Sequence, residues 1–297
     1  MVDQFTETDT RKQTWEKDIK GFAPKRYVMK ELVMNVSGHA WNNSFYQKTA
    51  TSLTGGAGSA IEGIPRDADF PSVVRGVTLK NAIILQHGGE GRIYWQDILT
   101  SNIRIEAETI SDVTDAVVYS VDNKIYWTLS ENDYAGSTHL INTVAIAAGY
   151  EWDSATLANR DPVQNLLDAI REITIDRYPI LTSGQGYLVV NETDYANLMG
   201  NSKVINHPTF KLADGIIRNG TLAQLCGLKI KVSPVVTADK ALVVMAKKCG
   251  TWVQTQPLTV DVIIDPQKKY TIRASEIGVC QLTDPEAVCI ITNTRKT

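Results

Sequence analysis

The longest periodic pattern of apolar residues runs from Ile103 to Leu129. Apolar residues recur there at intervals of three and four, which places them on one face of an α-helix. Ser101 is a suitable N-terminal cap, and Gly136 follows the pattern as a typical helix stop. The pattern predicts a helix over residues 102–130, about 43 Å long at about 1.5 Å per residue. Residues 103–107 also alternate with period two, so a strand at the start is the alternative.

Two runs of β-branched and aromatic residues, 77–87 and 92–99, precede this helix and predict strands. The glycine-rich segment Gly88-Gly89-Glu90-Gly91 lies between them and predicts a hairpin turn. A two-stranded hairpin is only marginally stable in water by itself. We therefore expect this hairpin to pack on the rest of the chain or on a neighbouring subunit.

The remaining pattern predicts further helices and a strand-rich last third. Asp161-Pro162 marks the start of a second helix, which ends before Pro179, and Asn191 caps a third, short helix. The second helix is expected to bury Val163, Leu166, Leu167, Ile170 and Ile173. Strands are predicted at 187–190, 228–232, 241–246, 260–264, 270–274, 277–282 and 288–292. Helices in the middle and strands on both sides indicate an α+β fold.

Residues 1–50 are polar and interrupted by glycine, proline and asparagine, which is typical of an extended arm. Trp15 and Trp41 nevertheless lie within this arm. Large aromatic side chains in such a segment indicate docking, either onto another subunit or onto the body of the same chain. The sequence does not decide between the two.

Composition excludes several classes of protein. The chain is 43% hydrophobic with a formal net charge of -3, so a sizeable core is expected and a strongly basic nucleic-acid-binding surface is not. We expect neither a secretory signal nor a membrane span. The four cysteines include no CxxC pair and are expected to be buried free thiols, with a disulfide between two late strands as the alternative.

The usual signatures of catalysis are missing from the sequence. Gly56-Ala57-Gly58 begins a GxGxxG-like run, but Ile61 occupies the place of the third glycine. The chain contains no phosphate-binding loop, no GxSxG and no HExxH, and its four histidines are widely spaced. We therefore expect no catalytic, cofactor-binding or metal-binding residues, and a protein that is not an enzyme. A hydrolase or ligand-binding protein with a site assembled from distant residues is the alternative.

Four stretches, taken in order, carry a resemblance to a known family. They are Ile64–Pro71 with the two strand runs after it, Asp97–Asn102, Gly227–Pro234 followed by Ala241–Val244, and Arg273–Val288. Their order and spacing resemble the tailed-virus (bacteriophage or archaeal virus) major capsid proteins of the Hong Kong 97-type fold. The resemblance covers nearly the whole chain, although each stretch is a weak motif by itself.

The resemblance implies a division into four parts. These are an N-terminal arm (1–50), an extended E-loop hairpin (51–101), a peripheral domain (102–138 and 253–283) with a long spine helix (102–130), and an axial domain (139–252 and 284–297).

The resemblance also implies a function and partners. The chain would assemble with itself, as hexamers and pentamers, into an icosahedral shell in the virion, formed in the host cytoplasm around double-stranded DNA that it does not read. The resemblance also allows portal, scaffolding and decoration proteins as partners, and it implies no association with a membrane. The alternative within the same fold is an encapsulin-type cellular compartment that holds cargo enzymes.

Contacts between subunits are then expected at the arm and the E-loop: Trp15, Trp41, Lys80, Gly88, Gly89, Glu90, Gly91 and Arg92. Some relatives join Lys and Asn by an isopeptide bond. Lys80 is the only lysine of residues 58–100, no partner Asn is matched, and no crosslink is expected. About 50 residues precede the E-loop, so we expect no built-in scaffolding segment. Removing residues 1–45 is expected to prevent shells and leave a folded subunit.

Overall fold

The computed structural model describes residues 27–38, 41–49, 66–67, 69, 76–100, 105–130, 141–205, 222–265 and 268–296. The strands in these residues form a four-stranded sheet, a six-stranded sheet and a two-stranded ribbon.

The four-stranded sheet has the order β1-β10-β11-β4 and is built around two long antiparallel strands. β10 (Gly250–Asp265) and β11 (Lys269–Leu282) form its centre. β1 (Met34–Ser37) lies parallel to β10 at one edge, and β4 (Leu85–Tyr94) lies antiparallel to β11 at the other. One face carries apolar side chains such as Val262 and Ile272, which are buried, whereas the other carries charged ones.

The short helix α1 (Trp95–Thr100) follows β4, and the long helix α2 (Ile105–Leu129) comes next in the chain. Helix α2 packs on the apolar face of this sheet. A Cβ added at Gly91 of β4 would lie 2.4 Å from Thr109 Cγ2 and 2.8 Å from Val113 Cγ2. Gly91 therefore allows the helix to approach the strand closely. Six members of the predicted apolar stripe are buried: Ile110, Val113, Val117, Val121, Ile125 and Leu129. Val118 and Tyr126, which the stripe did not include, are buried beside them.

The six-stranded sheet has the order β5-β12-β9-β6-β8-β7. Its strands are β5 (Asn142–Ala145), β6 (Gly186–Val190), β7 (Gln224–Leu225), β8 (Leu228–Val232), β9 (Lys240–Met245) and β12 (Val288–Thr292). Helix α3 (Pro162–Ile175) covers one face, and α4 (Glu192–Met199) and α5 (Ser202–Ile205) follow. Short 3₁₀ turns lie at Leu157–Asn159 and Pro285–Ala287.

The helix starts follow the sequence chemistry. The side chain of Asp161 accepts a hydrogen bond from the backbone N–H of Gln164, with Pro162 at the first helical position. Asn191 caps α4 in the same way, accepting from the N–H of Thr193. Both predicted caps are confirmed. The predicted burial of Leu167 is wrong, because this residue lies on the outer side of α3, 45% exposed.

The predicted hairpin turn at Gly88–Gly91 is also wrong. These residues lie inside β4 and pair with Ile272–Ser275 of β11, so the runs 77–87 and 92–99 do not pair with each other. The real antiparallel pair of the ribbon is β2 (Asn42–Lys48) with β3 (Val77–Ile83). A glycine-rich segment suits a turn and a strand beneath a close helix equally well, which is the physical reason for the error.

Part of the predicted arm is packed in the core of the subunit. Trp15 and the rest of residues 1–26 lie outside the described residues. Tyr27, Met29, Leu32 and Val33, in contrast, are buried in the core of the same chain. Removing residues 1–45 would delete these four side chains, so the expectation that this truncation leaves a folded subunit is wrong.

The four cysteines are buried free thiols, as predicted, and no disulfide joins the late strands. Burial raises the pKa of the Cys249 thiol to about 12 and that of the Cys226 thiol to about 11, which keeps both protonated and unreactive at neutral pH.

Candidate assembly surface

The β2–β3 ribbon has two faces with opposite environments. Residues directly opposite each other in the ladder share a face, so Tyr46 lies beside Leu79 and Phe45 beside Lys80. The face with Phe45, which we call the inner face, is turned towards the body of the subunit, and Phe45 and Gln47 are buried on it. The outer face is turned away from the subunit.

Hydrogen bonds at its base attach the ribbon to the end of β11. The side-chain amide of Gln47 donates to the carbonyl oxygen of Leu282 at 3.1 Å, and the backbone N–H of Lys48 donates to the carbonyl of Thr283 at 3.0 Å. Ile84, immediately after β3, packs with Val253 and Val279 of the four-stranded sheet. The ribbon is therefore attached to the subunit at both ends of the β2–β3 ladder, near Lys48 and at Ile84.

A charged cluster at the same base involves Lys48. Its ammonium group lies 2.5 Å from the hydroxyl of Tyr178, 3.3 Å from a carboxylate oxygen of Glu286 and 3.7 Å from one of Asp284. The Tyr178 hydroxyl donates to Asp284 at 2.5 Å. Burial, and then the bonded carboxylate of Asp284, raise the pKa of Tyr178 well above its usual value, so the hydroxyl stays a donor. This cluster ties β2 to the segments that enter the six-stranded sheet.

The outer face carries apolar side chains in solvent. Tyr46, Leu79 and Ile83 are 69%, 57% and 61% exposed, and Trp41, just before β2, is 72% exposed. Val77 is exposed on the same face. We call these five residues, Trp41, Tyr46, Val77, Leu79 and Ile83, the ribbon patch. Full burial of each apolar side chain would stabilise by about 1.5–3 kcal/mol, so several exposed apolar side chains on one ribbon are typical of a protein–protein contact.

The structure separates the residues that the sequence predicted for subunit contacts. Trp41 belongs to the ribbon patch. Lys80 lies on the inner face and is half-buried. Gly89 and Gly91 lie beneath α2 within the subunit, and Trp15 is outside the described residues.

Glu90 and Arg92 lie on the open, charged face of the four-stranded sheet, and Gly88 of β4 pairs with Ser275 of β11. A carboxylate oxygen of Glu90 is 2.7 Å from Arg273 Nε, and the other is 2.9 Å from Arg92 Nε. The hydrogen bonds from Arg273 and then Arg92 hold the pKa of Glu90 below its usual value. These residues already have partners within the subunit, and their contact with another subunit stays a prediction.

Tyr46, Val77, Leu79 and Ile83 were missed at the level of sequence. A signal existed in β3, where Val77, Leu79 and Ile83 occupy alternate positions with Asn81 between them. The partner strand Asn42–Lys48 is mostly polar and gives no strand signal of its own.

The described residues hold no group of three or more His, Cys, Asp or Glu side chains arranged for a metal ion. Within the same residues, every helix is too short or too polar to cross a membrane.

Solved structures resemble this chain over nearly its whole length. A chain of Mycobacterium phage Che8 matches with a TM-score of 0.63 at 18% identity, over 91% of this chain and 93% of that chain. A virus-like particle from Pyrococcus furiosus matches with a TM-score of 0.60 at 14% identity, over 95% and 99%. The capsid of Cyanophage P-SCSP1u matches with a TM-score of 0.61 at 12% identity, over 90% and 88%.

No family model and no curated protein matches the sequence. The likeness is thus one of fold, with low identity throughout. The α+β arrangement and the predicted resemblance are both confirmed: the chain has the Hong Kong 97-type fold found in tailed-virus capsid subunits.

Proposed function

We propose that the chain is the major capsid protein of a tailed virus. In this role it assembles as hexamers and pentamers into an icosahedral shell around double-stranded DNA. The observation that carries the proposal is the match to capsid subunits over about nine-tenths of both chains.

The ribbon patch supplies a physical reason for assembly. It is apolar and exposed, and it lies on the face of the ribbon opposite buried Phe45 and Gln47. A neighbouring copy that covers the patch removes this apolar surface from water. Small contacts repeated around every subunit add up to a stable shell, even where each one alone is weak.

We assign the parts of the fold accordingly. Strands β2 and β3 belong to the extended loop, which moves its predicted start (51) to Asn42 and its predicted end (101) to Ile83. The four-stranded sheet with α2 is the peripheral domain, and the six-stranded sheet with its helices is the axial domain. DNA is enclosed rather than read, in line with the net charge of -3. We infer a structural rather than a catalytic role, located in the virion.

The first test is assembly of the purified full chain, followed by negative-stain microscopy and light scattering. Closed particles of uniform diameter are expected. The variant Leu79→Asn/Ile83→Asn places polar groups on the ribbon patch and is expected to give folded subunits that form no particles. Thr78→Asn is the matched control, because Thr78 is exposed in the same strand on the opposite side. It is expected to assemble like the wild type.

A wild-type chain that stays monomeric at every concentration contradicts the proposal. Particles formed equally well by Leu79→Asn/Ile83→Asn contradict the role of the patch and leave the capsid role standing.

An encapsulin-type shell of a cellular compartment is the second candidate. It is favoured by the match to a particle attributed to Pyrococcus furiosus rather than to a phage, which covers 99% of that chain. The contents of native particles separate the two: nuclease-protected double-stranded DNA supports the capsid, and a packaged enzyme supports the compartment.

A further inference from the structure

The turn formed by residues 27–33 lies across the boundary between the two large sheets. The chain passes between these sheets at residues 246–249, from β9 to β10, and at residues 283–287, from β11 to β12. Tyr27, Met29, Leu32 and Val33 are buried at this boundary, in the core cluster that includes residues of both sheets. The turn continues directly into β1 of the four-stranded sheet and is therefore positioned to hold the two sheets together.

One end of the turn contacts the six-stranded side. The carbonyl oxygen of Leu32 accepts from the backbone N–H of Lys247 at 2.6 Å and lies 3.8 Å from Cys249 Sγ, both in the first crossing. Lys231 of β8 donates to a carboxylate oxygen of Glu31 at 2.8 Å.

The other end contacts the four-stranded side through the long helix. The two carboxylate oxygens of Asp122 on α2 accept from the backbone N–H groups of Val28, at 2.7 Å, and Lys30, at 3.1 Å. Asp122 is itself buried. These bonds fix the turn to the helix that covers the sheet.

The strongest attachment is a buried network around Glu276 of β11. This fully buried carboxylate accepts from the Tyr27 hydroxyl at 2.7 Å and pairs with the ammonium group of Lys30. Trp252 Nε1 and Gln254 Nε2 each donate to it at 3.1 Å. The Lys30 ammonium also lies 4.6 Å from the centre of the Tyr27 ring.

The position of Lys30 in this network makes the seating of the turn nearly all-or-none. A buried carboxylate that loses its cation is strongly unfavourable, because the lost pairing is not replaced by water. Partial withdrawal of the turn would leave Glu276 in that condition. The turn is therefore fully seated, or it is released together with a local opening that hydrates Glu276.

We propose that residues 27–33 are a pin that fixes the angle between the two sheets, with the Lys30–Glu276 pair as its lock. In a shell the sheet-to-sheet angle sets the curvature that each subunit contributes. That consequence rests on the proposed function, whereas the pin itself does not.

The test compares Lys30→Met with Lys231→Met in the full chain by hydrogen–deuterium exchange and negative-stain microscopy. Lys30→Met keeps the aliphatic stem and removes the buried cation. Lys231→Met removes a cation of β8 that pairs with Glu31 of the same turn, and this largely exposed pair contributes little.

For Lys30→Met we expect amide exchange to rise at least about tenfold in residues 28–33 and in the crossing 246–249, with central β11 protected as in the wild type. We also expect particles of several diameters. Lys231→Met is expected to match the wild type in both measurements.

Exchange that rises uniformly over both sheets means a general loss of stability and overturns the pin. Unchanged exchange in residues 246–249 overturns it as well. Faster local exchange with a single particle diameter overturns the link to curvature. If wild-type protein forms no particles, the proposed function fails, and the exchange comparison still decides the pin.

Discussion

Strands β3 and β4 follow each other with only Ile84 between them, yet their surroundings differ completely. β4 pairs with β11 and lies beneath α2, so that Ile93 is fully buried. β3 pairs only with β2, and Ile83 stands 61% exposed. Both strands carry apolar residues of the same kinds.

The comparison shows that burial here depends on the partners of a strand rather than on its own composition. A strand that is apolar on one face and covered becomes core, and one that is left uncovered becomes a contact surface. Under the proposed function, the cover of the ribbon comes from a neighbouring copy of the chain. Two substitution pairs and one single substitution test this difference.

The largest expected effect comes from the same substitution on both strands. Ile93→Ala removes buried methyl groups beneath α2 and should lower the free energy of unfolding by about 2–5 kcal/mol. Ile83→Ala should lower it by less than about 0.5 kcal/mol, because its side chain is already in water. Urea unfolding measures both values. Equal losses would mean that β3 is covered within the subunit.

The close approach of α2 to β4 gives the next largest effect. Gly91→Ala places a Cβ against Thr109 and Val113 and should destabilise the protein by about 1–3 kcal/mol. Gly89→Ala is the control, because its Cβ would meet Ala116 and Val113 at an ordinary 3.5 Å. A loss for Gly89→Ala as large as that for Gly91→Ala would contradict the close packing at Gly91.

The smallest effect concerns His87 of β4. Burial lowers the pKa of this histidine, with Nδ1 2.8 Å from Ser120 Oγ and the ring against Trp252. The unfolded chain takes up a proton near pH 6.5, while the folded chain resists it, so stability falls as the pH drops below about 6.5. The slope is at most about 1.4 kcal/mol per pH unit for one proton. His87→Gln should reduce the change in the free energy of unfolding between pH 7.5 and 5.5, measured by urea unfolding at each pH. If the change is the same as in the wild type, His87 is not its cause.

The sequence predicted well those features that repeat over many residues. The helix 102–130 is present from Ile105 to Leu129, because its stripe extends over seven turns and a chance pattern of that length is rare. The caps Asp161 and Asn191 are local in sequence and were found for the same reason.

Features that join distant segments were not predictable. Glu276 accepts a hydrogen bond from Tyr27, which is 249 residues away in the sequence. Neither residue belongs to a motif that predicts the other. The glycines of β4 predicted a turn because the local sequence does not show that a helix packs on them. The contact with Thr109 and Val113 of that helix appears only in the folded structure. The ribbon patch was predictable in β3, where Val77 and Leu79 occupy alternate positions, but not in the polar strand β2.

The single residue that separates β3 from β4 has a mechanical consequence. Ile84 is held between Val253 and Val279, so the chain has no slack where the ribbon leaves the sheet. An adjoining molecule that presses on the outer face of the ribbon therefore also displaces the start of β4, which pairs with β11 and lies beneath the long helix. A displacement at the surface is in this way transmitted to the middle of the subunit.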